Sequence, residues 1–277
     1  PEDFGNQGAI PSHPELLDWI SLDFMNNGWD MKSLVKTMVM SSTYRQSSKF
    51  DAKNYKLDSE NIYLSRGPYK KLTAEMMRDQ ALASSGLLNR KIGGKWVKPY
   101  QPPGIWKELA NQIGENKYRQ SKGSDLYRRS IYTYWKRTIP VPSMLTFDAS
   151  ERSMCTVKRQ STSTPLQSLV LLNDPQYIEA SRKLAENLIK SKGDDPSIWI
   201  ENAFKSLVTR SPSMDETNLL MEIYNAELQR FEKDAASGLV LTKIGESASS
   251  QSIDRNKLAA LTVVVSAVLN LDEAKHS

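Results

Sequence analysis

The longest apolar run in this 277-residue sequence is Leu258–Leu269, LAALTVVVSAVL, interrupted only by Thr262 and Ser266. A bilayer span needs ~20 such residues, so the run reads instead as a helix of the protein interior. Leu258, Leu261, Val264, Val265, Val268 and Leu269 recur at helical spacing. A helix apolar on most of its faces has to be enclosed by other elements, and the rest of the chain supplies helices in quantity.

Pro11-Ser12-His13-Pro14 ends an irregular entry, with Ser12 or His13 placed to cap and Pro14 in the first turn. Leu16, Leu17, Trp19, Ile20 and Phe24 then mark a helix that stops near Asn26-Asn27-Gly28. Asp30 caps a second helix carrying Leu34, Val35, Met38 and Val39, so the two form an α-hairpin with Trp19 and Trp29 buried against it. Thr73 opens a third helix, and Asp174-Pro175 opens another with Ile178, Leu184 and Leu188 inward. Helices are also expected over 196–209, 214–236 and 253–271, with a mobile Gly- and Ser-containing stretch at 235–251. Arg128 to Arg137 alternates and reads as a strand, with Lys95–Tyr100 or Thr156–Arg159 as its partner. The expected fold is mainly α, a multi-helix globular domain with a small antiparallel β element. Residues 1–277 are read as one domain, with 165/166 as the place where a subdivision would fall.

The charge balance, 37 Lys+Arg against 32 Asp+Glu, leaves the chain at +5. That mild excess suits solubility or an anionic partner, and no nucleic-acid-binding motif accompanies it. One cysteine, Cys155, excludes an internal disulfide, and two histidines do not make a multi-histidine metal site. No haem-attachment or zinc spacing occurs, so no cofactor is encoded in this chain. The opening PEDFGNQG reads as mid-protein sequence, and a further segment ahead of Pro1 is expected.

The densest mixture of charge, rings and turn residues is Tyr127–Pro175, with seven Arg/Lys, four Pro, a Trp and the lone Cys. Arg128, Arg129, Lys136, Arg137, Arg152 and Arg159 beside Trp106 and Trp135 suit a basic, ring-lined pocket. Guanidinium forks bind carboxylate or sulfate oxygens in pairs, which suggests an acidic glycan. An ion-pair network is the structural alternative. Asp148 and Arg152 are four apart and would pair on a helical turn. Asp148 is also the candidate catalytic carboxylate, with His13 or a second carboxylate (Asp3, Asp174 or Glu108) as its partner, since glycoside hydrolysis needs two such groups. His13 reads otherwise as a turn residue, and Cys155 as a small buried hydrophobe or a nucleophile activated by its basic neighbours.

Several stretches, DFGNQGAIPSHPELLDWIS, YKKLTAEMMRDQALASSGLLNR, PYQPPGIWKEL, LYRRSIYTYWKRTIPVPSMLTFDASERSMCTVKRQSTSTPLQSLVLLNDPQYIEASRKLAE and LAALTVVVSAVLNLDE, occur in an order that resembles the domain of unknown function (DUF) 1553 family. Ala149-Ser150 departs from that pattern, which often has Ala-Pro there. The resemblance implies a planctomycete protein whose upstream part is cytochrome-c-like and holds the haem. It implies an extracytoplasmic, periplasmic location and a link to polysaccharide use. It supplies no catalytic residue. The expected role is a non-haem accessory domain that binds an anionic or polyhydroxylated substrate. A carbohydrate-active enzyme and a purely structural interaction domain are the alternatives.

Overall fold

The computed structural model describes residues 5–108 and 117–276. Contacts divide the chain into two compact units, Pro1–Lys70 and Lys71–Ser277. Eleven α-helices occur among the described residues. Residues 110–125, polar and Gly-containing and so expected to form an exposed loop, lie in part outside them, and Asp3 lies wholly outside.

The first unit holds α1 (Pro14–Asn26), α2 (Met31–Met40) and α3 (Ala52–Leu57). His13 occupies the N-cap of α1 but its side chain caps nothing, and it instead meets the Ser12 hydroxyl at 3.0 Å. Asp30 does cap α2, accepting from the N–H groups of Lys32 and Ser33. Neither α1 nor α2 buries a residue. Trp19 and Trp29 are therefore not the buried pair expected; both are exposed, and Trp29 meets the edge of Phe24 at 5.2 Å. Gly28 and Trp29 both take positive φ at the turn, which directs Trp29 back onto its own helix end.

In the second unit, α11 (Arg255–Leu269) is the buried helix foreseen, with ten buried residues from Leu258 to Leu269. It touches α6 (Pro165–Asn173), α7 (Pro175–Ser191), α8 (Pro196–Val208), α9 (Met214–Lys233) and α10 (Ala235–Thr242). Ala259 and Ala260 are fully buried in it, and small side chains there let neighbouring helices approach closely. Asp174, Asp195, Ser213, Asp234 and Asp254 cap α7 to α11 through side-chain hydrogen bonds, Ser213 in a capping box with Glu216. The helix expected to run on to 236 thus ends at Lys233, and 235–242 of the expected mobile stretch is a second helix, because Asp234 ends α9 and caps α10. Gly238 sits inside α10 against the Phe231 ring. Residues on both sides of position 165 share one core: Met77, Val141 and Phe147 pack in one cluster with Leu171, Leu184 and Val265.

Among the described residues no sheet forms. Residues 123–139 run as 3-10 turns, Gly123–Tyr127 and Ser130–Tyr132, joined by isolated bridges. The foreseen partner does lie alongside, but Val97 meets Thr133 in parallel and by a single bridge. The reason is a side chain. Arg78 on α4 (Ala74–Ser84) is 3% exposed and donates to the Leu126 and Arg128 carbonyls at 2.8 and 2.7 Å, to Ser130 Oγ and to Gln176 Oε1. Asp79 accepts from the Ser130 N–H and hydroxyl. Backbone groups that would have formed a ladder are satisfied by side chains instead.

A second buried cluster fixes the segment after α10. Glu179, 1% exposed, accepts from the hydroxyls of Tyr100 and Tyr127 at 2.9 and 2.8 Å and from the Ser247 N–H at 2.5 Å. Arg182 donates to the Ser247 carbonyl and hydroxyl. Gly245 has φ +98°, and a Cβ there would collide with the Glu179 carboxylate.

Arg78→Leu leaves the Leu126 and Arg128 carbonyls without donors, and it is expected to lower stability in urea unfolding by roughly 3 kcal/mol. A loss below about 1 kcal/mol would mean that those carbonyls find other partners. Gly245→Ala, strained in φ and in collision with Glu179, is expected to cost about 2–3 kcal/mol in the same measurement.

Candidate functional site

The turn after α5 (Pro142–Thr146) and the loop that follows enclose a cavity of about 420 Å³. Asp148, Ser150, Glu151, Arg152, Lys158 and Arg159 line it with other residues of 145–160. Pro142 starts α5, the short helix ends at Phe147, and Asp148 follows with φ +59°. That left-handed turn, tolerated by Asp better than by most residues, aims its carboxylate at Thr162, whose N–H and Oγ–H donate at 2.8 and 2.7 Å. Arg152 also has positive φ, +61°, and its guanidinium lies 5.0 Å from the centre of the Trp135 ring. Trp135 in turn donates its Nε1–H to the Glu151 carbonyl. The expected Asp148–Arg152 helical pair is not formed. No helix runs through 148–152; the Asp148 carboxylate takes the Thr162 donors and the Arg152 guanidinium rests on the Trp135 ring.

Below the cavity, Lys71 reaches the Thr162 carbonyl and Gln167 Oε1. Burial lowers the Lys71 pKa, with Asp148 opposing it. Arg159 forms a two-pronged pair with Glu75 at 2.6 and 3.1 Å. Burial alone would raise the Glu75 pKa, but the bonds and charge of Arg159, together with hydrogen bonds from its own backbone and Thr73, hold it below the ordinary carboxylate value. Cys155 is exposed, not buried as its chemistry suggests, because the whole of 151–160 is a surface loop.

The remaining predicted residues do not join this cavity. Arg128 is 3% exposed and donates to the carbonyls of Lys95, Gly93 and Lys91, with the Tyr132 ring 3.9 Å away. It is a structural clamp. Trp106 is buried, bonds Gln101 Oε1 and stacks with Tyr118 and Tyr134. The Lys98 ammonium lies 4.8 to 5.6 Å from the centres of the Trp96, Trp106, Tyr118 and Tyr134 rings. Trp106 is therefore turned onto the chain's own cation, not onto a ligand. Lys136 sits 5.6 Å from the Trp106 ring centre and Arg137 is exposed. Arg129 is exposed and lines a separate groove. His13 belongs to the first unit and Asp148 to the second. The Glu108 side chain lies outside the described residues.

Sequence reasoning missed Thr162, Lys71 and Glu75, the residues that position Asp148 and Arg159. The only local hint was the polar, uncommitted composition of QSTST at 160–164.

Asp174 caps α7 by accepting from the Gln176 N–H at 3.0 Å, and burial raises its pKa to about 6, with that bond and Arg78 opposing. The folded pKa lies above the unfolded value of about 3.9. Its contribution is therefore complete below pH ~4 and is lost as pH rises towards 6. Asp174→Asn keeps the capping oxygen and removes the titration. Between pH 4 and 7 the variant is expected to gain on the parent by the order of 1 kcal/mol in urea melts. A constant difference across that range would contradict the burial argument.

A family model described as PSD1, protein of unknown function (DUF1553), matches residues 1–224. No curated protein and no solved structure matches the chain. The match takes in both hairpin and central stretch and reaches into α9, well over half of the sequence, and on that ground the chain belongs to the DUF1553 family.

Proposed function

We propose that this chain is a binding module whose second unit takes an anionic, polyhydroxylated ligand, of the class of uronic or sulfated sugars, in the cavity at 145–160. The observation that carries the reading is Arg152. Its guanidinium lies on the cavity wall, is exposed, rests on Trp135 and has no ion pair among the described residues. Stacking on a ring holds the guanidinium in place while its N–H edges stay free for oxygens. Lys158 adds positive charge, and Ser150, Ser153 and Thr156 add hydroxyls that suit a sugar's own. Arg159 contributes less than expected, since Glu75 already holds it.

An extracytoplasmic setting, a planctomycete origin and an upstream cytochrome-c-like, haem-bearing partner belong to the same proposal and rest on the family resemblance stated above. The enzymatic alternative keeps one observation: two carboxylates, Asp148 and Glu151, line one cavity. Asp148, with both oxygens engaged by Thr162, is positioned as an acceptor. Product release by the parent and loss of release in Asp148→Asn would favour that alternative.

Isothermal titration with sulfated and uronic oligosaccharides is expected to show binding that weakens about tenfold or more in Arg152→Gln and falls as salt is raised. Neutral oligosaccharides of equal length are expected to bind more weakly. Absence of heat with every anionic glycan would leave only a structural interaction domain.

A further inference from the structure

A second concavity, of about 620 Å³, lies between α4, the end of α8 and the chain's last residues. Its wall is largely apolar, with Leu72, Leu88, Leu207 and Val208 inside and Met76, Ala83 and Ile131 at the exposed rim. Three carboxylates also reach it, and each is already held. Glu75 is paired with Arg159 at 2.6 Å and Glu273 with Arg210 at 2.6 Å, while Asp79 accepts from the Ser130 N–H and hydroxyl at 2.8 and 2.7 Å. His276 bonds back to the Asp272 carbonyl through Nδ1. Arg129 differs from all of these. It lines the groove, is exposed, and makes no side-chain hydrogen bond or ion pair among the described residues. It follows directly on Arg128, whose carbonyl is fixed by Arg78, so its backbone is anchored although its guanidinium is uncommitted.

We propose that this groove binds a small molecule with an apolar body and a single carboxylate, the body against Leu72, Leu88, Leu207 and Val208 and the carboxylate on Arg129. The volume falls in the range of small-molecule sites, which are mostly apolar with a few placed polar groups. The apolar wall rejects a sugar, whose hydroxyls would lose their hydrogen bonds to water there. Each carboxylate already accepts from a donor of the chain, whereas the Arg129 guanidinium makes no hydrogen bond or ion pair among the described residues, so the ligand's polar end is assigned to Arg129. A guanidinium meets a carboxylate through two parallel hydrogen bonds, which fixes orientation as well as charge sign. The site is separate from the cavity at 145–160 and takes a different class of ligand.

The test is isothermal titration of the whole chain with octanoate, and with octanol and octylamine as its neutral and cationic matches. Octanoate is expected to bind at least about tenfold more tightly than either. Arg129→Gln, at an exposed position, is expected to keep the circular dichroism spectrum and melting temperature and to lose the preference for octanoate. Met76→Glu places a negative charge at the rim and is expected to weaken octanoate while leaving octanol unchanged. No binding of octanoate, equal binding of octylamine, or a preference that survives Arg129→Gln would each overturn the proposal.

Discussion

Arg78 is the constraint on which the candidate surfaces depend. A buried guanidinium is expensive to desolvate, and burial pushes its pKa below the ordinary arginine value, with Asp79 opposing. Its fork turns that expense into architecture. One group grips two carbonyls, a hydroxyl and a side-chain amide, and so ties α4, the 126–130 segment and α7 together. The segment gripped in this way ceases to need strand partners. It can then pass through 3-10 turns that present Arg128 inward and Arg129 outward, and it leads on to Trp135 and the cavity wall.

The helical scaffold supplies the rigidity that makes such a grip possible. With α11 enclosed by five helices, α7 has one face in the apolar core and carries Glu179, Arg182 and Glu186 as buried polar groups. Glu186 is neutralised by Lys183 and Lys190 within the same helix, so although burial would raise its pKa these bonds keep it lowered. Within the helix Glu179 has only the Arg182 guanidinium, at 4.0 Å. It draws Tyr100, Tyr127 and Ser247 from three distant parts of the chain, so the same helix that closes the core also fastens the loops. Such buried networks are costly when half satisfied and rigidifying when complete.

The two concavities differ because of what the surrounding charges already do. In the 145–160 cavity Arg152 is propped on a ring with its edges free, and the chemistry is polar. In the α4–α8 groove the carboxylates are spent on partners, and an apolar wall meets a lone guanidinium. The pair of Glu75 and Arg159 stands between them, since Arg159 lines the first and Glu75 the second.

By itself the sequence determined most of the longer helices and several of their starts. Asp30, Thr73 and Asp174 cap where they were expected to, because a cap involves groups only two or three residues apart. The apolar period of Leu258–Leu269 likewise fixed the buried helix. The mixed stretch at 127–175 contains the cavity at 145–160. What the tertiary structure alone decided is which of its charges are occupied. Arg128 answers to carbonyls 33 to 37 positions away, Arg159 to a glutamate 84 away, and the would-be strand to a guanidinium about 50 away. Pairings at that separation leave no periodicity or spacing in the chain. They depend on which helices dock, and docking is driven by non-directional burial of apolar area that carries no information about the polar partners it brings together.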